Sequence, residues 1–446
     1  MQVSAAAPVF GADPFWVAIA IFALAYLLII ADRINRSIIA LLGAGALIAS
    51  GVLSQEEAIR GIDFNTIALL TGMMVLVGIA RRTGMFEFLA VWSAKKARAQ
   101  PWAILAMLSL VTAVVSAFLD NVTTVLLIAP VTLAIARRLE APPYPFLFAE
   151  VFASNIGGTA TLIGDPPNII IGSAAQLSFN DFVVALTPVI VVVMAVQLLA
   201  THLIWGRHMR ASAEDRARVM ALDERGLIVD RPLMYASLTV ICAMIAVFIF
   251  AGPLNLQPGT IAILGAAVLM LLHNFEHHRD REKQTLRVTE TFAEVDWITI
   301  FFFLGLFVIV HAIDVAGVLD LAAKRLIAST GGDPAATAIA ILWGSAVLSA
   351  IVDNIPFVAA MIPLIRELAP HLGGPEHVMP LWWALSLGAS LGGNGTLIGA
   401  SANLTVAGIA ERSGVEFRFL TYTKHAFGLM LISVAICHVY LLLRYL

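Results

Sequence analysis

The sequence predicts an all-α polytopic membrane protein made of two inverted repeats, and three observations carry the prediction. Of the 446 residues, 60% are hydrophobic and only 13% are charged, and the mean hydropathy is +0.91. A soluble domain needs about a quarter of its residues charged to cover its surface, so roughly half of the polar coat is missing and a lipid-facing surface takes its place. Apolar stretches of membrane-spanning length recur along the whole chain. One half of the chain also repeats the other, motif by motif.

The elements follow in order. The first 14 residues, MQVSAAAPVFGADP, lack the basic start of a cleaved signal peptide, so the apolar stretch after them reads as the first span. About 20 apolar residues cross a bilayer. By that ruler spans fall near 15–31, 36–52, 64–82, 182–205, 233–251, 258–273, 297–316 and 425–445. Four further stretches form two pairs, 102–118 with 122–138 and 336–352 with 355–368, each joined by a few polar residues in the manner of a re-entrant hairpin. Two more, 145–176 and 380–411, are interrupted by glycine, proline and polar residues and read as broken helices. That makes about ten crossings plus two hairpins.

Lys and Arg gather at 81–98, 137–138, 207–218 and 279–287, and the positive-inside rule places those segments in the cytoplasm. The chain then alternates without conflict from an external N-terminus to an external C-terminus. The largest charged mid-chain stretch, 206–232, reads as a cytoplasmic linker between halves 1–205 and 233–446, the last of which ends in a C-terminal span. The stretch 273–296, with three histidines at loose spacing among mixed charges, reads as a solvated loop.

The repeat is the strongest signal. GIDFNTIALLTG at 61–72 answers EVDWITIFFFLG at 294–305, with Asp63 matching Asp296 at an offset of 233. At that offset Gly84 meets Gly317, and SAFLDNVTTVLLIAP at 116–130 meets SAIVDNIPFVAAMIP at 349–363. Two residues later, GGTATLIGDPPN at 157–168 meets GGNGTLIGASAN at 392–403, and upstream ALLGAGAL at 40–47 resembles AILGAAVL at 262–269. Span 64–82 runs inward and span 297–316 outward, so the units are inverted. Inverted repeats with interrupted helices are a known route to alternating access, with solute bound near the midplane.

Non-helical backbone survives in hydrocarbon only where it lines a protein cavity. Gly157, Gly158, Gly392 and Gly393 therefore mark where the helices open, and Pro166-Pro167 suits the start of a resumed helix. The hairpin tips carry Asp120-Asn121 with Thr123, and Asp353-Asn354. A carboxylate deep in a membrane is costly and marks an ion path or proton relay, while Asp and Asn also favour helix N-caps; one residue can do both. Asn155, Thr159, Thr161 and Asn168 in the first half, and Ser390, Asn394, Thr396, Ser401 and Asn403 in the second, supply neutral hydroxyl and amide ligands. Asp165 faces Ala400 in the other repeat and Glu150 faces Leu385, an asymmetry that suggests an extra cation or proton site in the first half, with a surface position for Glu150 as the alternative. No Walker sequence, GxSxG elbow, HExxH or spaced Cys/His cluster is present, so ATP-driven pumps and hydrolases lack their machinery. The two cysteines, Cys242 and Cys437, form no metal motif and read as membrane-buried thiols. No enzyme activity, cofactor, metal or nucleic-acid partner is expected; the net charge is -3.

FLDNVTTVLLIAP, SNIGGTATLIGDPPN, VDNIPFVAAMIP and ASLGGNGTLIGASAN resemble the ion transporter superfamily. Within it the nearest likeness is to the branch of arsenite-efflux permeases, sodium/proton antiporters and the melanosomal P protein, and more distantly to dicarboxylate carriers. The resemblance covers nearly the whole chain. It implies scaffold helices, a re-entrant hairpin and a broken transmembrane helix in each half, a solute held between hairpin tips and breaks, and a homodimer joined through the scaffold. Carried over by motif, the site is Asp120, Asn121, Thr123, Gly157, Gly158 and Thr159 with Asp353, Asn354, Gly392, Gly393 and Asn394. Dicarboxylate and citrate carriers have serine where Asp120 and Asp353 stand, and two acids repel a polyanion. The leading expectation is therefore proton-coupled efflux of arsenite or antimonite across the cell inner membrane. A sodium/proton antiporter and an organic-anion carrier are the alternatives, and an energising ATPase subunit stays an open partner.

Overall fold

The computed structural model describes residues 13–31, 33–250, 256–275 and 280–446, with the side chains of 375 and 376 left aside. The first half contributes α1 (Pro14–Ala31), α2 (Arg36–Ala49), α3 (Gln55–Arg60), α4 (Phe64–Arg81), α5 (Met85–Lys96), α6 (Pro101–Ser116), α7 (Asn121–Arg138), α8 (Pro143–Thr159), α9 (Pro166–Ala175) and α10 (Phe179–Ile204). A short α11 (Ala213–Met220) lies in the linker. The second half follows with α12 (Arg231–Phe250), α13 (Pro258–Asn274), α14 (Arg281–Ala293), α15 (Trp297–Val315), α16 (Val318–Thr330), α17 (Pro334–Ser349), α18 (Asn354–Leu368), α19 (Met379–Gly392), α20 (Ser401–Arg412) and α21 (Phe419–Arg444). Among the described residues there is no strand. The expected spans, both hairpins (α6–α7 and α17–α18) and both broken helices (α8–α9 and α19–α20) are present within a few residues of their expected limits.

Ends that the repeat shares have shared causes. Asp63 caps α4 by accepting from the Asn65 and Thr66 amides at 3.0 and 3.2 Å. Its counterpart Asp296 caps α15 through the Thr299 amide at 3.2 Å. Gly84 and Gly317, ahead of α5 and α16, sit at φ +78° and +77°, a left-handed conformation that glycine adopts without a side-chain clash.

The scaffold spans of the two halves interlock. A Cβ on Gly72 of α4 would lie 2.6 Å from the Ala262 backbone on α13, and one on Gly305 of α15 would lie 2.4 Å from the Ala40 backbone on α2. Bare glycine thus lets each central span press directly on a helix of the other half. More than half of α4 and α15 is buried, whereas less than half of α1, α10, α12 and α21 is, which leaves those helices faces for lipid contact. Gly305→Val is expected to force these backbones apart, at a cost of about 1–3 kcal/mol. A lower melting temperature in detergent checks it; an unchanged one would contradict the close packing.

Segments that the positive charges assign to the cytoplasm meet at one end of the bundle. Arg82 pairs with Glu290 and Glu294, Lys95 with Glu224, and Arg218 with Glu140, while the Arg287 guanidinium donates to the His273 carbonyl at 2.9 Å. One expectation needs correcting there. The stretch 273–296 is not simply a loop, because 281–293 is the exposed helix α14, started by Asp280 accepting from the Lys283 amide at 3.1 Å. A polar capped segment lies flat on the surface without needing an apolar face. Two of the three histidines, His277 and His278, lie outside the described residues. Cys242 is exposed and Cys437 buried, and both are free thiols.

Candidate functional site: the paired helix breaks and the cleft below them

The helix α8 does not open at Gly157-Gly158, as the glycines suggested; it runs on to Thr159, and residues 160–165 form the break. The glycines serve close approach instead. A Cβ on Gly157 would lie 2.1 Å from the Ala113 carbonyl oxygen, and one on Gly158 would lie 2.5 Å from that of Gly164. The second half copies this geometry, with a Cβ on Gly392 at 2.5 Å from the Ala346 oxygen and one on Gly393 at 2.8 Å from the Gly399 oxygen. Pro166 and Pro167 open α9, where their missing amides cost nothing.

Side chains close the backbone groups that each break exposes. Ser116 Oγ donates to the Ser154 carbonyl at 2.7 Å, and Ser349 Oγ to that of Ala389 at 2.6 Å. Thr161 Oγ1 donates to the Ala117 carbonyl, and Thr396 Oγ1 to that of Ala350 at 2.5 Å. The Asn168 amide reaches the Thr159 and Thr161 carbonyls at 3.1 and 2.9 Å, and the Asn403 amide reaches those of Gly393 and Thr396 at 2.8 Å each. Thr161, Asn168, Thr396 and Asn403 thus spend donors on the backbone, as buried carbonyls require. Thr159 Oγ1 does the same within α8, donating to the Asn155 carbonyl at 2.7 Å.

Asn155 joins the two halves. Its Oδ1 accepts from Asn121 Nδ2 at 3.0 Å, and its Nδ2 donates to Asn394 Oδ1 at 2.9 Å and to Asn403 Oδ1 at 2.8 Å. Asn121 Nδ2 also reaches Asp165 Oδ1 at 3.1 Å. Ser386 Oγ donates to Asn168 Oδ1 at 2.6 Å, and Tyr422 OH to the Asn394 carbonyl at 3.1 Å. Asn121 Oδ1 and Asn394 Nδ2 have no protein partner among the described residues, and Asp165 Oδ2 and Ser390 Oγ make no close hydrogen bond there, although the Ser390 hydroxyl faces the Asp165 carboxylate. Buried polar atoms are rarely left single, and these offer both donors and acceptors to a bound guest. Asn354 is buried at the first residue of α18.

The hairpin tips differ from each other. Asp120 caps α7, accepting from the Thr123 amide at 2.8 Å and from Thr123 Oγ1 at 2.5 Å. Asp353 caps α18 through the Ile355 amide at 3.0 Å, and it also meets Arg36 at 3.3 Å and accepts from Ser401 Oγ at 2.7 Å. Arg36 donates to Ser401 Oγ at 2.8 Å and lies 5.0 Å from the Phe302 ring centre. The repeat places Pro258 where the counterpart of Arg36 would be, so Asp120 has no such partner. The Arg36–Asp353 pair is partly screened, with side chains 27% and 15% exposed, so breaking it is expected to cost about 1–3 kcal/mol, below the range of a fully buried pair. Arg36→Gln and Asp353→Asn should each lower the melting temperature, and the double variant by less than their sum. Strict additivity would dissolve the pairing.

A cleft of about 140 Å³ leads from the basic end to Asp120, passing Arg81, Asp296, Thr299, Arg36, Thr123 and Ser401. Within it Arg36 is matched by Asp353 and Arg81 by Glu294 at 3.8 Å. Asp120 and Asp296 form no ion pair among the described residues. A second cleft of about 400 Å³ opens at the other end beside Asp63, His311, Asp314 and Arg366 and stops short of Asp353. Part of its lining repeats that of the first, with Asp63, Val310, His311 and Asp314 at the positions of Asp296, Val77, Gly78 and Arg81. The places of Arg36, Thr299 and Asp296 along the cleft are not visible in the sequence. Arg36 reads there as one more inward-side charge in the turn DRINR, and the only hint is that its repeat position is proline. Glu150 is buried, so its surface alternative falls.

Two interlocked inverted repeats, re-entrant tips and matched helix breaks above a cleft that reaches Asp120 define a multi-pass membrane transporter. The family model of the CitMHS citrate transporters matches residues 26–388, and the chain belongs to that family, part of the ion transporter superfamily. An uncharacterized transporter of Mycobacterium tuberculosis is 45% identical over 433 residues, covering 96% of this chain and 98% of its own. The human P protein is 34% identical over 515 aligned residues, covering 96% of this chain and 60% of its own. Among solved structures, the YdaH transporter of Alcanivorax borkumensis shares the fold at a TM-score of 0.60 and 14% identity, covering 97% of this chain and 99% of its own. MtrF of Neisseria gonorrhoeae does so at 0.59 and 14%, covering 97% and 95%.

Proposed function

We propose that this chain is a proton-coupled secondary transporter that exports a small uncharged hydroxylated solute, of the arsenite and antimonite class, across the cell inner membrane. The observation that carries the reading is Asp120, a carboxylate at the inner end of an open cleft that forms no ion pair among the described residues. Such a group changes charge by binding a proton, and hairpin-tip acids that do so link solute exchange to a gradient. The neutral donors and acceptors left open on Asn121, Ser390 and Asn394 suit a solute that carries hydroxyls and no charge. In this reading repeats 1–205 and 233–446 pivot about linker 206–232, and the two repeat-related clefts give access to opposite sides in turn. The exposed scaffold faces would hold lipid and a second copy of the chain.

A sodium/proton antiporter is the second reading. Asp165 Oδ2, Asn121 Oδ1 and Ser390 Oγ are three oxygens that make no close hydrogen bond among the described residues, the ligand type that a hard cation takes. The family's description as citrate transporters favours an organic anion, but both basic groups of the inner cleft that would meet one are paired, Arg36 with Asp353 and Arg81 with Glu294.

The test is uptake into everted vesicles under an imposed pH gradient, with arsenite and sodium supplied separately. Arsenite accumulation that collapses with a protonophore is the expected result. Gradient dissipation by sodium without arsenite uptake would replace it with the antiporter.

A further inference from the structure

Glu150 stands apart from the cleft and from the breaks. It lies two turns into α8 and is 1% exposed. One carboxyl oxygen accepts from Thr132 Oγ1 on α7, while Oε2 has no partner among the described residues. The helices packed around α8 bring no counter-charge to it. Neither α6 nor α19 carries a titratable residue. Arg137 and Arg138 end α7, and Arg137 donates to the Ser413 carbonyl. On α10, Asp181 is engaged in capping at Ser178, and His202 lies against Trp102 at 4.6 Å. Glu411 and Arg412 end α20, and on α21 His425 sits among Tyr144, Phe148 and Trp205, with Lys424 and Tyr422 on the same turn. None of them forms an ion pair with Glu150.

Packing does not require an acid here. The repeat counterpart, Leu385, is just as buried on α19, so an apolar side chain fits the equivalent place. A carboxylate ion enclosed without a counter-charge is costly, whereas the neutral acid is not. Thr132 and Asn121 are eleven residues apart and so share one face of α7. Thr124 lies between them on that side, buried, with a hydroxyl that has no partner among the described residues. Thr132 and Thr124 therefore lie on the same side of α7 as Asn121, which holds Asp165, with the apolar Val125 and Ile128 between the two threonines.

We propose that Glu150 is a second proton-binding site of this carrier, held by the Thr132 hydroxyl on the side of α7 that also carries Asn121, the partner of Asp165. The proton is held at Oε2 in the neutral acid, and its release leaves a carboxylate that keeps the Thr132 bond. The inference deepens the proton-coupled reading and rests on it. Two measurements on the full chain separate their fates. In pH-difference infrared spectra of the purified protein, the wild type should show a neutral-carboxyl C=O band that fades as pH rises, and Glu150→Gln should lack that component. In proteoliposomes loaded with arsenite, the variant should move one proton fewer per solute than the wild type. Identical infrared titrations of wild type and variant would overturn the site. A titrating Glu150 band in a protein that shows no proton coupling would uphold the site and overturn the transport reading. Should Glu150→Gln fold poorly, Glu150→Leu, which copies the side chain of the other repeat, takes its place in both measurements.

Discussion

Asp120→Asn is expected to cut proton-driven solute uptake by at least about tenfold while leaving the yield and melting temperature of the folded protein near wild type. Asparagine is about as good an N-cap as aspartate, so the start of α7 and its bond to the Thr123 amide survive. What disappears is the carboxylate at the inner end of the cleft, which can change charge without disturbing an ion pair among the described residues. Asp353→Asn differs in kind, because it strands Arg36 and so loses stability along with transport. Uptake by everted vesicles, set beside a melting curve, separates the two variants. Full proton-coupled activity in Asp120→Asn would remove the carboxylate mechanism.

Gly158→Val is expected to abolish solute binding and to lower stability by about 1–3 kcal/mol, the range for overpacking a tight interior. The first added carbon already lies 2.5 Å from the Gly164 oxygen and 3.3 Å from Ser116 Oγ. The oxygen belongs to backbone that cannot swing aside, so 160–165 must move outward. That shift carries Asp165 and the start of α9 with it, and Asp165 holds one of the open atoms of the network. Calorimetric titration of the purified variant with arsenite checks the effect; wild-type affinity would sink the site.

Much of this architecture is legible in the sequence because a bilayer simplifies the code. Span lengths are set by its thickness, and irregular backbone is allowed only at protected places, so α4, α15, the hairpins and the breaks all follow from apolar run length and punctuation. The repeat names the residues that matter locally: Gly84 and Gly317 share a positive φ, and Asp120 and Asp353 both cap. The glycines at 157–158 point to an opening slightly ahead of the real one, since glycine here serves contact between helices and not the opening of its own. Helix α14 is hidden because a polar surface helix leaves no apolar run.

The sequence by itself therefore determined the class of protein, the inverted repeat, the order of its elements and which residues sit at tips and breaks, because each rests on local chemistry read along one chain. Only the tertiary structure decided that Asn155 ties both halves together, that Arg36 answers Asp353 from the far end of the chain, and that Asp120 forms no ion pair among the described residues. Those facts depend on which helices lie side by side. In hydrocarbon, helices are brought together by close packing of small residues and by sparse polar contacts, neither of which leaves a periodic trace in the sequence.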